Sequence, residues 1–185
     1  MWTWILPLLV SSASAAECTE RITPEAFRTR VEAVREPVAF ADPTAQEQIG
    51  ELLALMENCI NGPVRREDIA SLFLARGAWE ILAGAETDWH QQLARDHLTW
   101  AYAVGSRDAW EPMYGPQVEE VFDEVSSQLL EKGVLDLTFR TVPEVTVLDG
   151  EVIREQGRRF VTAGAHLVQW KDDKGWHGEI VRLAP

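Results

Sequence analysis

The chain is short of positive charge. Against 30 Asp and Glu stand only 17 Lys and Arg in 185 residues, a net charge of -13. A surface of that sign repels phosphate backbones and anionic headgroups, which excludes nucleic acid as a natural partner. Cysteine is scarce too. Only Cys18 and Cys59 are present, and without a C-x-x-C no dithiol redox centre can be written. No glycine-rich loop is available to cradle a phosphate: Gly157-Arg158-Arg159 brings two charges but one glycine. Ser71, Ser106, Ser126 and Ser127 lack the flanking glycines of a nucleophile elbow. Exact repeats and low-complexity segments are absent, and no apolar run is long enough to serve as a lasting bilayer anchor.

Residues 1–16, MWTWILPLLVSSASAA, pass from an apolar run to small residues. Ala13-Ser14-Ala15 and Ser14-Ala15-Ala16 offer the small–x–small pattern of a secretory cleavage site, although no Lys or Arg precedes the run. The expectation is a signal peptide at 1–16, export to the periplasm or beyond, and no stable membrane anchor after cleavage. Two cysteines then meet an oxidising compartment, where an even pair most simply forms one disulfide, Cys18 to Cys59. Closing that loop stabilises a fold by about 4 kcal/mol in the chain-entropy account.

What charge there is lies unevenly. Residues 17–136 hold 23 acidic and 10 basic side chains, and 137–185 hold 7 of each. Apolar spacing changes at the same place. Thr23-Pro24-Glu25 and Asp42-Pro43 are helix starts, and Pro37, Asn61-Gly62-Pro63, Ala83-Gly84 and Lys132-Gly133 are stops. Between them, stripes predict five helices: Phe27, Val31 and Val34; Ile49, Leu52 and Met56; Leu72, Ala75 and Trp79; Trp89, Leu93, His97 and Trp100; Val118, Phe122 and Val125. After Gly133 short β-prone runs take over, with a tight-turn signal at Asp149-Gly150 and a polar turn at Asp172–Gly175. The predicted fold is α+β: an acidic bundle of about five helices over 17–136, then a small antiparallel β-sandwich over 137–185.

The second part resembles a PEGA domain. The matching residues are Val142-Pro143, Val145-Thr146-Val147-Leu148-Asp149-Gly150, Ala163-Gly164-Ala165-His166-Leu167-Val168, Gly175-Trp176 and Val181-Arg182-Leu183. Leu148 stands where the family has Val before Asp-Gly, and Glu155–Arg159 replaces its Gly-x-Thr-Pro segment. The resemblance implies a β-sandwich of the bacterial envelope without catalysis, and a structural His166. In the first part, Ala75-Arg76-Gly77-Ala78-Trp79 with Leu82-Ala83-Gly84, and Leu93-Ala94 on to Ala101, resemble one tetratricopeptide-type hairpin. Trp110-Glu111-Pro112 and Gly115-Pro116-Gln117-Val118 are similar to the step into a further helix. One or two such units cannot build the groove of a full array.

Candidate sites are few. His97 on an apolar stripe reads as a core residue. Glu86 and His90 are four apart and could share a helix face, but two ligands make no zinc cage. Glu119-Glu120 and Asp123-Glu124 read as a solvated helix face. Trp79, Trp89 and Trp100 read as core. Trp170 and Trp176 flank the 171–175 turn with His177 beside them, and aromatic faces there can stack on sugars or anchor a protein contact. The expected function is a non-enzymatic, exported envelope module with no cofactor or metal, which holds a partner protein or wall polymer through Trp170, Trp176 and His177. The competing expectation is an envelope hydrolase with a carboxylate pair in the cleft between the two parts.

Overall fold

In the computed structural model, residues 18, 21–84, 87–139, 143, 145–154 and 156–184 are described. The expected signal peptide lies outside them.

Local chemistry sets the helix ends. Helix α1, Pro24–Ala39, begins where the Thr23 hydroxyl accepts from the Ala26 N–H. Pro37 was expected to end it, yet the helix runs two residues further. A proline in the last turn forfeits a single backbone bond. The end is closed instead by N–H bonds from Phe40 to Glu36 and from Ala41 to Val38, with Ala41 in the left-handed region. The Asp42 carboxylate then accepts from the Thr44 amide and hydroxyl at 2.9 and 2.8 Å, opening α2, Thr44–Asn58. A disulfide ties Cys59, at the end of α2, to Cys18. Beside it Ile22 pairs with Ile60 in a short parallel bridge, so the segment before α1 is held twice.

Helix α3, Arg66–Leu82, is buried on nearly every side, including Asp68 near its start and Glu80 near its end. Helix α4, Asp88–Gly105, packs on it at close range. A Cβ added at Gly77 would fall 2.7 Å from the Leu98 side chain, and one at Gly105 would fall 2.6 Å from that of Ala70. The contact row on α4 is therefore Ala94, Leu98 and Ala101, all buried. This rotates Trp89 out to 68% exposure, against the expectation that it is core. Trp79 is buried and Trp100 is half-buried, edge-on to Phe73. Two 3₁₀ turns lead into α5, Pro116–Lys132, whose Val118, Phe122, Val125 and Leu129 face inward. Gly133, at φ +74°, ends it.

Six antiparallel-paired strands follow. Strands β1 (Val134–Phe139) and β4 (Gly157–Thr162) form a two-stranded ribbon. Strands β2 (Val145–Leu148), β3 (Glu151–Ile153), β5 (Gly164–Asp172) and β6 (Gly175–Leu183) form a sheet in the order β3-β2-β5-β6. The β2–β3 hairpin turns on Asp149 (φ +47°) and Gly150 (φ +82°), two positive angles that suit a tight two-residue loop. The fold is α+β, helices first and antiparallel sheets after.

Alternation along β5 places the layers. Ala165 and Leu167 belong to the same buried cluster as the helices, with Ile180 of β6 packed against it. Val168 points the other way and joins Leu137, Phe139, Leu148 and Ile153 in a smaller cluster under the ribbon. The order is helices, sheet, ribbon. The sheet does not keep to an interior of its own: one face completes the helical core.

Three glycines permit that approach. A Cβ at Gly178 would lie 2.6 Å from the Glu57 carbonyl oxygen, one at Gly150 2.6 Å from the Arg66 amide, and one at Gly164 2.9 Å from the Ala103 side chain. A buried amide fastens the same seam. Gln169 accepts from the Val64 N–H at 2.8 Å and donates to the Gly62 carbonyl at 3.2 Å. Further along, the Arg182 guanidinium lies over the Trp100 ring and Arg66 pairs with Glu151.

Candidate functional site

Chemistry-bearing side chains gather at four places. At the first, Asp149 and His166 join the β2–β3 turn to β5. Asp149 accepts from the Leu167 N–H at 2.8 Å and from His166 Nδ1 at 2.6 Å, while His166 Nε2 donates to the Thr162 carbonyl at 2.9 Å. Burial disfavours charge on this ring, but the carboxylate and the carbonyl outweigh it and hold the His166 pKa above its ordinary value. Both ring nitrogens are used in holding the turn.

The second place is the β5–β6 hairpin end. Trp170 lies directly across from His177, and their rings stack with centroids 5.6 Å apart. Asp172 accepts from His177 Nε2 at 2.9 Å, and that bond holds the carboxyl below its usual range. Trp176 pairs with Lys171 and so points from the opposite face, where its carbonyl accepts from Arg21. Register therefore brings Trp170 and His177 together and separates Trp176 from both. One side of the Trp170 indole is already covered by imidazole.

A third place is the outer face of the ribbon. Alternation puts Val134, Asp136 and Thr138 of β1 beside Arg158, Phe160 and Thr162 of β4. Phe160 is 72% exposed and Val134 63%. Arg158 and Asp136 pair between them at 3.3 Å. No signal in the sequence separated Phe160 from its buried neighbours, because the strand was read as apolar without its register.

The fourth lies among the helices. A cavity of about 250 Å³ opens between the end of α3, the first half of α4 and the start of α5. Glu80, Gln91, Arg95 and Gln117 supply its polar lining, and Ile81, Ala94 and Val121 its apolar lining. The Glu80 side chain is wholly buried. One oxygen accepts from His90 Nδ1 at 2.5 Å, and the other is 2.5 Å from the Arg76 guanidinium. The expected partner of His90, Glu86, lies outside the described residues. The observed one is ten residues back, across the α3–α4 connection. His97 donates from Nδ1 to the Leu93 carbonyl, and burial pulls its pKa below the ordinary value.

The remaining carboxylates are dispersed. Burial raises the Asp68 pKa, against the pull of Arg65 and Arg28. Asp68 and Glu80 lie twelve residues apart on α3, which is about 18 Å along the axis. Asp149 is bound to His166. No pair of buried carboxyls shares a cavity among the described residues. On α5, Arg107 pairs with Glu119 and Asp123, and Arg95 with Glu124 at 2.6 Å. These are exposed pairs of the kind that contribute little stability. Among the described residues no group of three or more His, Cys, Asp or Glu is placed to hold a metal ion, and no helix is long and apolar enough to cross a membrane.

Comparison with known proteins gives no match: neither a protein-family model, nor a curated protein, nor a solved structure is similar to this chain.

Proposed function

We propose that this chain is a non-enzymatic, exported module of the cell envelope that holds a partner protein on the outer face of the β1–β4 ribbon. The observation that carries this reading is the exposure of Phe160 and Val134 on a strand pair whose inner face is buried. An exposed aromatic beside an aliphatic neighbour, rimmed by an Arg–Asp pair, has the make-up of a contact surface. Both ribbon strands also have one edge without a paired strand, which a partner's extended segment could use. Export is supported by the Cys18–Cys59 disulfide together with the leader-like residues 1–16. Kinship with PEGA domains and tetratricopeptide hairpins is part of the proposal and rests on the residues quoted above.

A protein partner is preferred to a wall polymer. Sugar binding through Trp170 would have to share the indole with His177. Trp176 faces away from both. The absence of catalysis is likewise proposed. It is supported by the structural engagement of His166, His97 and His177, and by the dispersal of the buried carboxyls.

Photo-crosslinking in native envelopes tests the reading. A crosslinker at Phe160 should give discrete protein adducts, lost when Val134→Glu is added, while one at the exposed Trp89 position should not. Adducts confined to Trp176, or to glycan, would transfer the contact to the hairpin end.

A further inference from the structure

The ribbon reading leaves unused the most costly polar group in the molecule, the buried Glu80 carboxylate. One of its oxygens accepts from His90. The other lies 2.5 Å from the Arg76 guanidinium, yet off the line of its N–H groups, and makes no hydrogen bond. A buried charged acceptor left without a hydrogen bond is expensive, and such a vacancy needs an explanation. Here the carboxylate lines the 250 Å³ cavity. On another wall Arg95 gives one N–H to Glu124 and keeps the rest of its donors. Gln91 and Gln117 also face the cavity, with no side-chain hydrogen bond to any described residue. The cavity meets α3 at its carbonyl end, around Gly84, where the helix dipole favours positive charge.

We propose that this cavity binds a small zwitterion of the α-amino acid type. Its ammonium would donate to the open Glu80 oxygen. Its carboxylate would lie against Arg95. A short apolar side chain would sit on Ile81, Ala94 and Val121. Charge complementarity selects this class. A simple cation of the same size would meet Arg76 and Arg95, and a simple anion would meet Glu80, whereas a dipolar ligand satisfies both walls. The cavity lies a little below the usual range for drug-sized ligands, so only a few heavy atoms fit. The proposal is independent of the ribbon surface.

The test is an NMR titration of the full disulfide-bonded chain with L-alanine, ethylamine and propionate as probes. L-alanine should give saturable shifts at the Ala94 and Val121 amides, and the two singly charged probes should bind at least about tenfold more weakly, the loss of one charge-assisted hydrogen bond. Glu80→Gln should weaken alanine binding by a similar factor. Since Glu80→Gln also releases Arg76 and could unsettle α3, Val121→Trp supplies a second reading. It fills the cavity from a half-exposed position of α5 and should abolish the shifts in a folded protein. Absence of saturable shifts with L-alanine would overturn the proposal. So would equal binding of propionate or ethylamine, or binding that survives Val121→Trp.

Discussion

His166 and His97 are both buried imidazoles, and pH acts on them in opposite directions. The His166 pKa is raised in the fold. Its contribution is therefore complete below the unfolded value of about 6.5 and fades as pH rises through the raised one. That of His97 is lowered. Its contribution is complete above about 6.5 and is lost as pH falls through the depressed value. The two partly cancel, so the wild-type stability profile near neutrality should be flatter than either histidine alone would give. Single variants separate them in urea unfolding. His166→Gln should cost more at about pH 6 than at about pH 9, and His97→Gln should cost more at about pH 8 than at about pH 5. Asp149→Asn should be the severest of the polar changes, at about 3 kcal/mol, since it strips a buried imidazole of its carboxylate and weakens the bond to the Leu167 amide.

Between elements, glycine decides how close the chain can come to itself. Gly178→Ala drives a methyl against the Glu57 carbonyl at the end of α2 and should cost about 1–3 kcal/mol in denaturant unfolding. Gly50→Ala, on the exposed side of α2 with nothing within 4 Å, should instead stabilise by about 0.5–1 kcal/mol. Neither role is visible in the residue itself. What the sequence does show is period and punctuation: five helices, the change of spacing near Gly133, the Asp149-Gly150 turn and the Cys18–Cys59 pair are all read from local chemistry. Contacts set by tertiary approach are not. The alternation His166, Val168, Trp170 was legible, but which side would meet helix was not. Helix α3 has small or apolar residues all round, so a single stripe understates its burial. Small residues at 77, 94, 101 and 105 let α4 approach, and that rotates Trp89 outward in spite of its place in a four-residue rhythm. The Glu80–His90 bond was hidden for a similar reason, because helical spacing suggests partners four apart and cannot reach across a turn. Phe160 needed the β1–β4 register before its exposure could be known.

At the scale of the whole molecule, helices and sheet share an interior, so the β part is held by more than the chain that leads into it. The disulfide acts on the same body. It encloses α1 and α2 in a loop of 41 residues, and Cys59→Ser should cost about 4 kcal/mol, lowering Tm by ~10 °C. Because the inner face of the sheet is spent on the helices and its other face on the ribbon, the ribbon's outer face is the broad β surface left for a partner. That arrangement is the basis of the proposed function, and it makes a cooperative prediction. The most direct measurement is equilibrium unfolding in urea followed by two probes at once. Far-ultraviolet circular dichroism reports mainly the helices, and the fluorescence of a variant keeping only Trp170 reports the sheet. A shared interior predicts coincident curves with one midpoint and one slope. A sheet that melts first, leaving the helical signal intact to higher urea, would contradict it.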